Sequence, residues 1–336
     1  MTPTDFARLL TRFLTGYLAH QRGISSNTIK AYKDTFVLLI NFLAAKGIKA
    51  EKLKLAHITR EIIDSFLNWL QTERGVGNAT RNARLAAIRS FYRYVQYEAP
   101  EWMHEAQRIL SVRSKKNQSR AMSYLTLKGI TLLLSQPKPG THRGLRDLVL
   151  LSLMYDTGAR VQEVVDFTPG CLRLDAPYTI RINGKGNKTR IVPLQEEQIN
   201  LLRKYMEVNQ LDTAKAQSYP LFFNSRKEKL TRAGMSHILL KYAEAARKKD
   251  DSLIPAKISC HSIRHSKAMH LLQAGVNLVY IRDFLGHVSV QTTEVYARAD
   301  SKQKREALQK AYVEVKPNVD PLWLKNKDLL GWLKSF

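Results

Sequence analysis

The residues able to do chemistry crowd into positions 261–296. His-Ser-Ile-Arg-His occupies 261–265, His287 follows a Leu-Gly pair, and Tyr296 sits in Thr-Thr-Glu-Val-Tyr-Ala. An arginine, two histidines and a tyrosine are what a phosphodiester needs if a phenol is to attack it. A guanidinium forks onto non-bridging oxygens as negative charge builds. Imidazoles move protons near neutral pH, and tyrosine can become the covalent nucleophile. Two pieces lie upstream. Tyr-Asp-Thr-Gly-Ala-Arg over 155–160 sets Arg160 behind a Thr-Gly break, and Gly-Lys-Gly-Asn-Lys-Thr-Arg over 184–190 sets Lys185 in a turn.

Periodicity supplies the elements that must carry these residues. Residues 178–183 and 189–194 alternate polar and apolar around Gly-Lys-Gly-Asn, the pattern of a β-hairpin with Lys185 at its tip. Read alone, Lys185 is an exposed turn lysine; in company with the other five its flexible stem suits a general acid at a scissile phosphate, and Lys188 and Arg190 are lesser candidates for that role or for phosphate-backbone contact. Residues 261–272 predict a helix that presents His261 and Arg264 on one face, three apart, and stops at Gly275. On that helix His265 reads as a core histidine satisfied by a backbone carbonyl. A helix over 277–285 ends in Gly286, leaving His287 on a turn, and Tyr296 falls on the helix after it. The continuous Leu, Val and Met content of 144–155 predicts a buried helix. Arg160 then opens a short helix, with Glu163 or Asp166 as its carboxylate partner. Further helices are expected over 127–134 and 231–247, capped by Thr126 and Thr231, and over 195–208.

Residues 1–112 read as a small helical domain, with helices near 26–47, 59–74 and 80–97. In the last of these Arg81, Arg84, Arg89 and Arg93 alternate with Leu85, Ile88, Tyr92 and Val95, an apolar face opposite an arginine comb. Such a comb is either a solvated face or a row of phosphate contacts, and the charge of the chain favours the second. Residues 113–124 read as a basic linker that includes Lys115 and Lys116, mobile when free and held by phosphates along a duplex.

At 336 residues the chain exceeds one ordinary domain, and two are expected. Its formal net charge is +25: the first 120 residues hold 20 Lys and Arg against 9 Asp and Glu, the remainder 34 against 20. Charge spread over both parts suits a protein that surrounds a polyanion and argues against membrane-surface binding through one basic helix. Only Cys171 and Cys260 are present. They point to a reducing, cytoplasmic setting without a disulfide framework, and Cys260 near His261, His265 and His270 lacks a second ligand pair for a metal. No apolar run is long enough to cross a bilayer, and no signal peptide is read.

The ordered set Arg160, Lys185, His261, Arg264, His287 and Tyr296 resembles that of the tyrosine recombinases of the phage integrase family, in layout most like bacterial Xer-type enzymes. Glu163 matches an acidic position usual in the family; Ile263, where Leu is commoner, is a departure of packing only. The resemblance implies a mainly α, two-domain fold: a helical, SAM-like core-binding domain over 1–112, the linker, and a mixed α/β, mostly helical catalytic domain over 125–313. It implies site-specific cutting and rejoining of double-stranded DNA through a 3′-phosphotyrosyl link, without metal or other cofactor. Tyr296 would be the nucleophile, Arg160, Arg264 and His287 would hold the phosphate, Lys185 would protonate the 5′-oxygen, and His261 would help accept the tyrosine proton. It further implies a homotetramer on two duplexes, with other recombinases or accessory proteins as further partners. The segment 314–336 is read as a helical extension that packs either on its own domain or on a neighbouring protomer, anchored by Trp323, Trp332 and Phe336. Relaxation of DNA in the manner of type IB topoisomerases, and a non-catalytic DNA-binding protein on the same fold, stand as alternatives. The biological roles that the resemblance admits are integration, excision, resolution and transposition.

Overall fold

Apolar residues at three- and four-residue steps build the first 120 positions from helices. In the computed structural model, which describes residues 2–117, 122–184, 188–299 and 329–335, the chain divides into two compact units, Met1–Arg120 and Ala121–Phe336. The first contains α1 (Asp5–Thr11), which widens into a π-helical stretch over Arg12–Gln21, then α2 (Ser26–Ala45), α3 (Arg60–Thr72), α4 (Asn78–Glu98) and α5 (Met103–Leu110). Phe13, Phe36 and Phe91 meet at its centre with ring centroids 5.2–6.4 Å apart, where edge-to-face contact adds to area burial. Thr59 caps α3 by accepting from the Ile62 N–H, as its type suits. The inner face of α3 is Ile63, Phe66, Leu67 and Leu70, with Ile62 half-buried at its edge.

The expected comb on α4 divides. Arg81 is 5% exposed and donates to the Arg113 carbonyl at 3.1 Å. Arg84 donates to the Ala31 carbonyl and the Thr35 hydroxyl, both at 3.0 Å, and Arg89 to the Val112 carbonyl. Arg93 alone of the four is exposed. The carbonyl acceptors lie on the chain just after α5, with one within α2, and a guanidinium reaches them where a short polar side chain would not. The same contacts correct the linker reading at its start. Lys115 exchanges backbone and side-chain bonds with Asn82, and Asn78 donates to the Lys116 carbonyl at 2.8 Å, so 113–116 are fastened to α4.

The second unit is built on α7 (His142–Thr157), whose apolar run is buried almost throughout. Before it comes α6 (Leu127–Leu134), capped by Thr126; after it come α8 (Val161–Val165) and an antiparallel sheet of β1 (Leu172–Arg173), β2 (Thr179–Asn183) and β3 (Thr189–Pro193). The expected hairpin is β2–β3, with Ile180 opposite Val192 and Ile182 opposite Arg190; β1 is too short to leave a period in the sequence. Helices α9 (Glu196–Val208), α10 (Arg232–Arg247), α11 (Cys260–Gln273), α12 (Leu278–Leu285) and α13 (Gln291–Ala299) follow, and a short helix spans Leu329–Lys334. Thr231 caps α10 as expected. Trp323 and Phe336 lie outside the described residues, as does the side chain of Trp332. No helix among the described residues is long and apolar enough to cross a membrane.

Candidate active site

Gly158 ends α7 in the left-handed region at φ 55° and turns the chain so that Arg160 stands at the N-cap of α8. Of the two carboxylates expected for it, Arg160 takes Glu163. Its backbone N–H donates to Glu163 Oε2 at 2.8 Å and its Nη1 to Oε1 at 2.9 Å. A second guanidinium reaches the same carboxylate from β3: Arg190 donates to Oε2 at 2.7 Å and to Oε1 at 3.2 Å. Burial pushes the Glu163 carboxyl up, but its bonds to Arg190 and Arg160 outweigh this and hold it below the usual range.

Arg264 lies in the first turns of α11 and is 2% exposed. It donates to the carbonyls of Gly158 at 2.7 Å and Leu285 at 2.8 Å, tying the end of α7 to the end of α12. Burial, then Arg160, lowers its pKa to about 10, so it stays charged at neutral pH. Arg160 closes the ring by donating to the Gly286 carbonyl at 3.2 Å. Gly286 itself sits at φ 67°, where the turn favours glycine, and a Cβ there would come 3.0 Å from Arg190 Nη1, so the arginine would have to give by a few tenths of an ångström.

His287 follows that turn and bonds through Nδ1 to the Thr293 hydroxyl at 2.9 Å. Its ring lies nearly parallel to that of Tyr296, with centroids 6.2 Å apart and planes 8° from parallel. Burial, Arg264 and Arg160 lower its pKa to about 4, which keeps it neutral. Tyr296 is 2% exposed; burial raises its pKa, and Arg264 and Arg160 offset part of the rise. The expectation for His265 is overturned. Its Nδ1 stands 3.0 Å from the Tyr296 hydroxyl, with no backbone carbonyl in that place. His261 is exposed, its ring 5.6 Å from that of His265 in an edge-to-face arrangement. Partial burial, with Arg264 and Arg160, lowers its pKa. The spacing admits His265 as a candidate, since it lies four residues after His261, one turn along the same helical face, but does not choose between the two.

Arg160, His261, Arg264, His287 and Tyr296 are thus brought to one place, beside a cleft of about 450 Å³ that Lys188, Arg190, Arg160 and His287 help to line. Gly184, which also lines the cleft, precedes the tip, and Lys185 lies outside the described residues. A cleft with this excess of guanidinium and ammonium groups suits an anionic oxygen-rich ligand. Among the described residues no group of three or more His, Cys, Asp or Glu could hold a metal, and Cys171 and Cys260 are both free.

Residues 123–303 match the phage integrase family model and residues 10–98 the phage integrase N-terminal SAM-like domain. Over 307 residues, 91% of either chain, the sequence is 34% identical to y4rC of Sinorhizobium fredii, a provisionally assigned integrase/recombinase. It is 31% identical to the tyrosine recombinase XerC of Pelotomaculum thermopropionicum, covering 89% of this chain and 96% of that one. The fold matches the crystal structure of the XerH site-specific recombinase in its post-cleavage complex with difH substrate at TM-score 0.67 and 23% identity, over 86% and 81% of the two chains. The chain belongs to the phage integrase family, and it is a tyrosine site-specific recombinase of mainly α, two-domain architecture. Relatives that align over nearly their whole length are named recombinases, which does not favour the topoisomerase-like or non-catalytic alternatives.

Proposed function

We propose that Tyr296 attacks a phosphate of double-stranded DNA, forming a 3′-phosphotyrosyl link and freeing a 5′-hydroxyl. Arg160 and Arg264 hold the non-bridging oxygens as charge accumulates on them, where one preorganised donor contributes about 3 kcal/mol. His287, neutral and beside the tyrosine ring, donates to the same oxygens. Lys185 protonates the departing 5′-oxygen, and His261 helps remove the tyrosine proton. Glu163 acts through Arg160, fixing its guanidinium, and Arg190 steadies Glu163. The phosphotyrosine conserves the bond energy, so a 5′-hydroxyl from a second duplex can reverse the step and join new partners. Four protomers on two duplexes carry out that exchange in the cytoplasm, with other recombinases or accessory proteins as further partners. Arg93, Lys115, Lys116 and Lys188, all exposed, supply backbone contacts; the accessible parts of Arg84 and Arg89 add to them, and Arg81 serves the fold.

The observation that supports this reading most is the convergence of two guanidiniums, His287 and Tyr296 beside one basic cleft. The test uses duplexes that the protein selects from a random pool, rebuilt with a nick beside the scissile phosphate so that the freed fragment diffuses away. A denaturation-resistant protein–DNA adduct is expected, absent in Tyr296→Phe. An adduct that persists in that variant would sink the assignment of the nucleophile; a wild type that selects DNA without ever forming one would sink the reaction.

A further inference from the structure

We propose that His265 is the group that first takes the proton from Tyr296, with His261 as its outlet to solvent. The proposal deepens the reaction above and rests on it. Tyr296 is 2% exposed, so bulk water is not at hand to receive a proton from the buried hydroxyl. Two groups bear on that oxygen. Arg264 lies against it but only donates. His265 Nδ1, at 3.0 Å, is its one recorded hydrogen-bond acceptor among the described residues. For that nitrogen to accept, it must be the unprotonated one, which sets the ring as the neutral tautomer with its proton on Nε2.

The groups facing His265 suit that state. His261 and Arg264 are on its own helix, Tyr296 reaches it from α13, and His287 bears on it from the turn before α13. Burial, His261 and Arg264 lower the His265 pKa to about 4, so the lone pair is free at neutral pH. A phosphate seated between Arg160 and Arg264 offsets their positive field and makes the ring a stronger base when substrate is bound. The step balances. The Tyr296 O–H bond breaks and the proton passes to Nδ1. The oxygen's electron pair forms the bond to phosphorus, the bond from phosphorus to the 5′-oxygen breaks, and that oxygen leaves with its pair and takes a proton from the acid, Lys185. On rejoining, Nδ1–H returns its proton to the phenolate. His261, exposed and 5.6 Å away ring to ring, can clear the proton between turnovers.

The experiment measures single-turnover adduct formation by full-length wild type, His265→Gln, His265→Asn and Lys185→Ala. Each acts on the selected nicked duplex and on the same duplex with sulfur in place of the scissile 5′-bridging oxygen. Sulfur leaves without a proton, so it rescues a missing acid and leaves a missing base exposed. Both His265 variants should be slower by about a hundredfold or more on either duplex while binding DNA within threefold of wild type, and Lys185→Ala should recover on sulfur. The wild-type rate should fall on the acid side, where Nδ1 is protonated, and the variants should lack that limb. His265 variants within threefold of wild type, or variants rescued by sulfur, would overturn the proposal. Should the variants fail to fold, nitrogen-resolved NMR of the histidines in wild type and Tyr296→Phe decides. A bare Nδ1 that shifts when the hydroxyl is removed supports the proposal, and an Nδ1–H form overturns it. A wild type that forms no adduct condemns the underlying reaction instead, so the two failures are distinct.

Discussion

Arg160, Arg190 and Arg264 each make at least two bonds to a carboxylate or to carbonyls at helix ends, whereas the Tyr296 hydroxyl meets His265 and Arg264 and its ring packs in a small apolar cluster. The guanidinium side rests on a core of 36 buried residues, among those described. The tyrosine side belongs to a separate cluster of six: Ala268, Met269, Leu272, Ile281, Leu285 and Tyr296. The difference follows the work each side does. Charge that develops for an instant is best stabilised by donors already in place, since donors that must reorganise lose the advantage. A nucleophile that alternates between free hydroxyl and phosphodiester has to shift, and an element with little buried area can shift at low cost.

The comparison breaks first if Arg264 proves dispensable. Arg264→Ala should slow adduct formation by about a thousandfold or more. It should also lower unfolding stability by about 3 kcal/mol, because the carbonyls of Gly158 and Leu285 lose their donor inside the protein. Single-turnover cleavage and denaturant melts measure the two effects, and a loss of rate without loss of stability would mean that the guanidinium side is not the rigid one. Glu163→Gln is the next largest. It removes the charge that two guanidiniums share and should lower stability by about 2 kcal/mol. A double-mutant cycle with Arg190→Gln should return a coupling clearly above zero; additivity would show that Arg190 does not brace the pair.

Acid stability sharpens the tyrosine side. The pKa values of His265 and His287 are lowered from an ordinary 6.5 to about 4 in the folded protein, so on acidification the unfolded chain binds protons first. Stability from these two groups is present above about pH 6.5 and is lost as pH falls toward about 4. Thermal melts from about pH 7 down to about pH 5 should show a falling midpoint, with a shallower fall in His265→Gln. An equally steep fall in that variant would remove His265 from the buried set.

Much of this site was legible because the relevant signals are local. Thr126 and Thr231 announce their helices, Gly286 announces the turn that delivers His287, and the alternation around Gly-Lys-Gly-Asn announces β2 and β3. The readings that failed concern what a side chain meets far along the chain. Arg81 looked like one tooth of a comb, yet its partner is a carbonyl 32 residues on. His265 looked like packing, yet its partner is a hydroxyl 31 residues on. His261 and His265 share a face and a type, and nothing within α11 says which of them the tyrosine will find.

The order and spacing of arginine, lysine, histidine and tyrosine are properties of the chain, and from them came the chemistry, the anionic substrate and the helices that bear the residues. Which imidazole touches the phenol, which guanidiniums share one carboxylate, and which arginine is spent inside a domain were decided only when the helices packed. Periodicity fixes the direction of a side chain relative to its own axis, while its partner depends on the angle and register at which another element arrives.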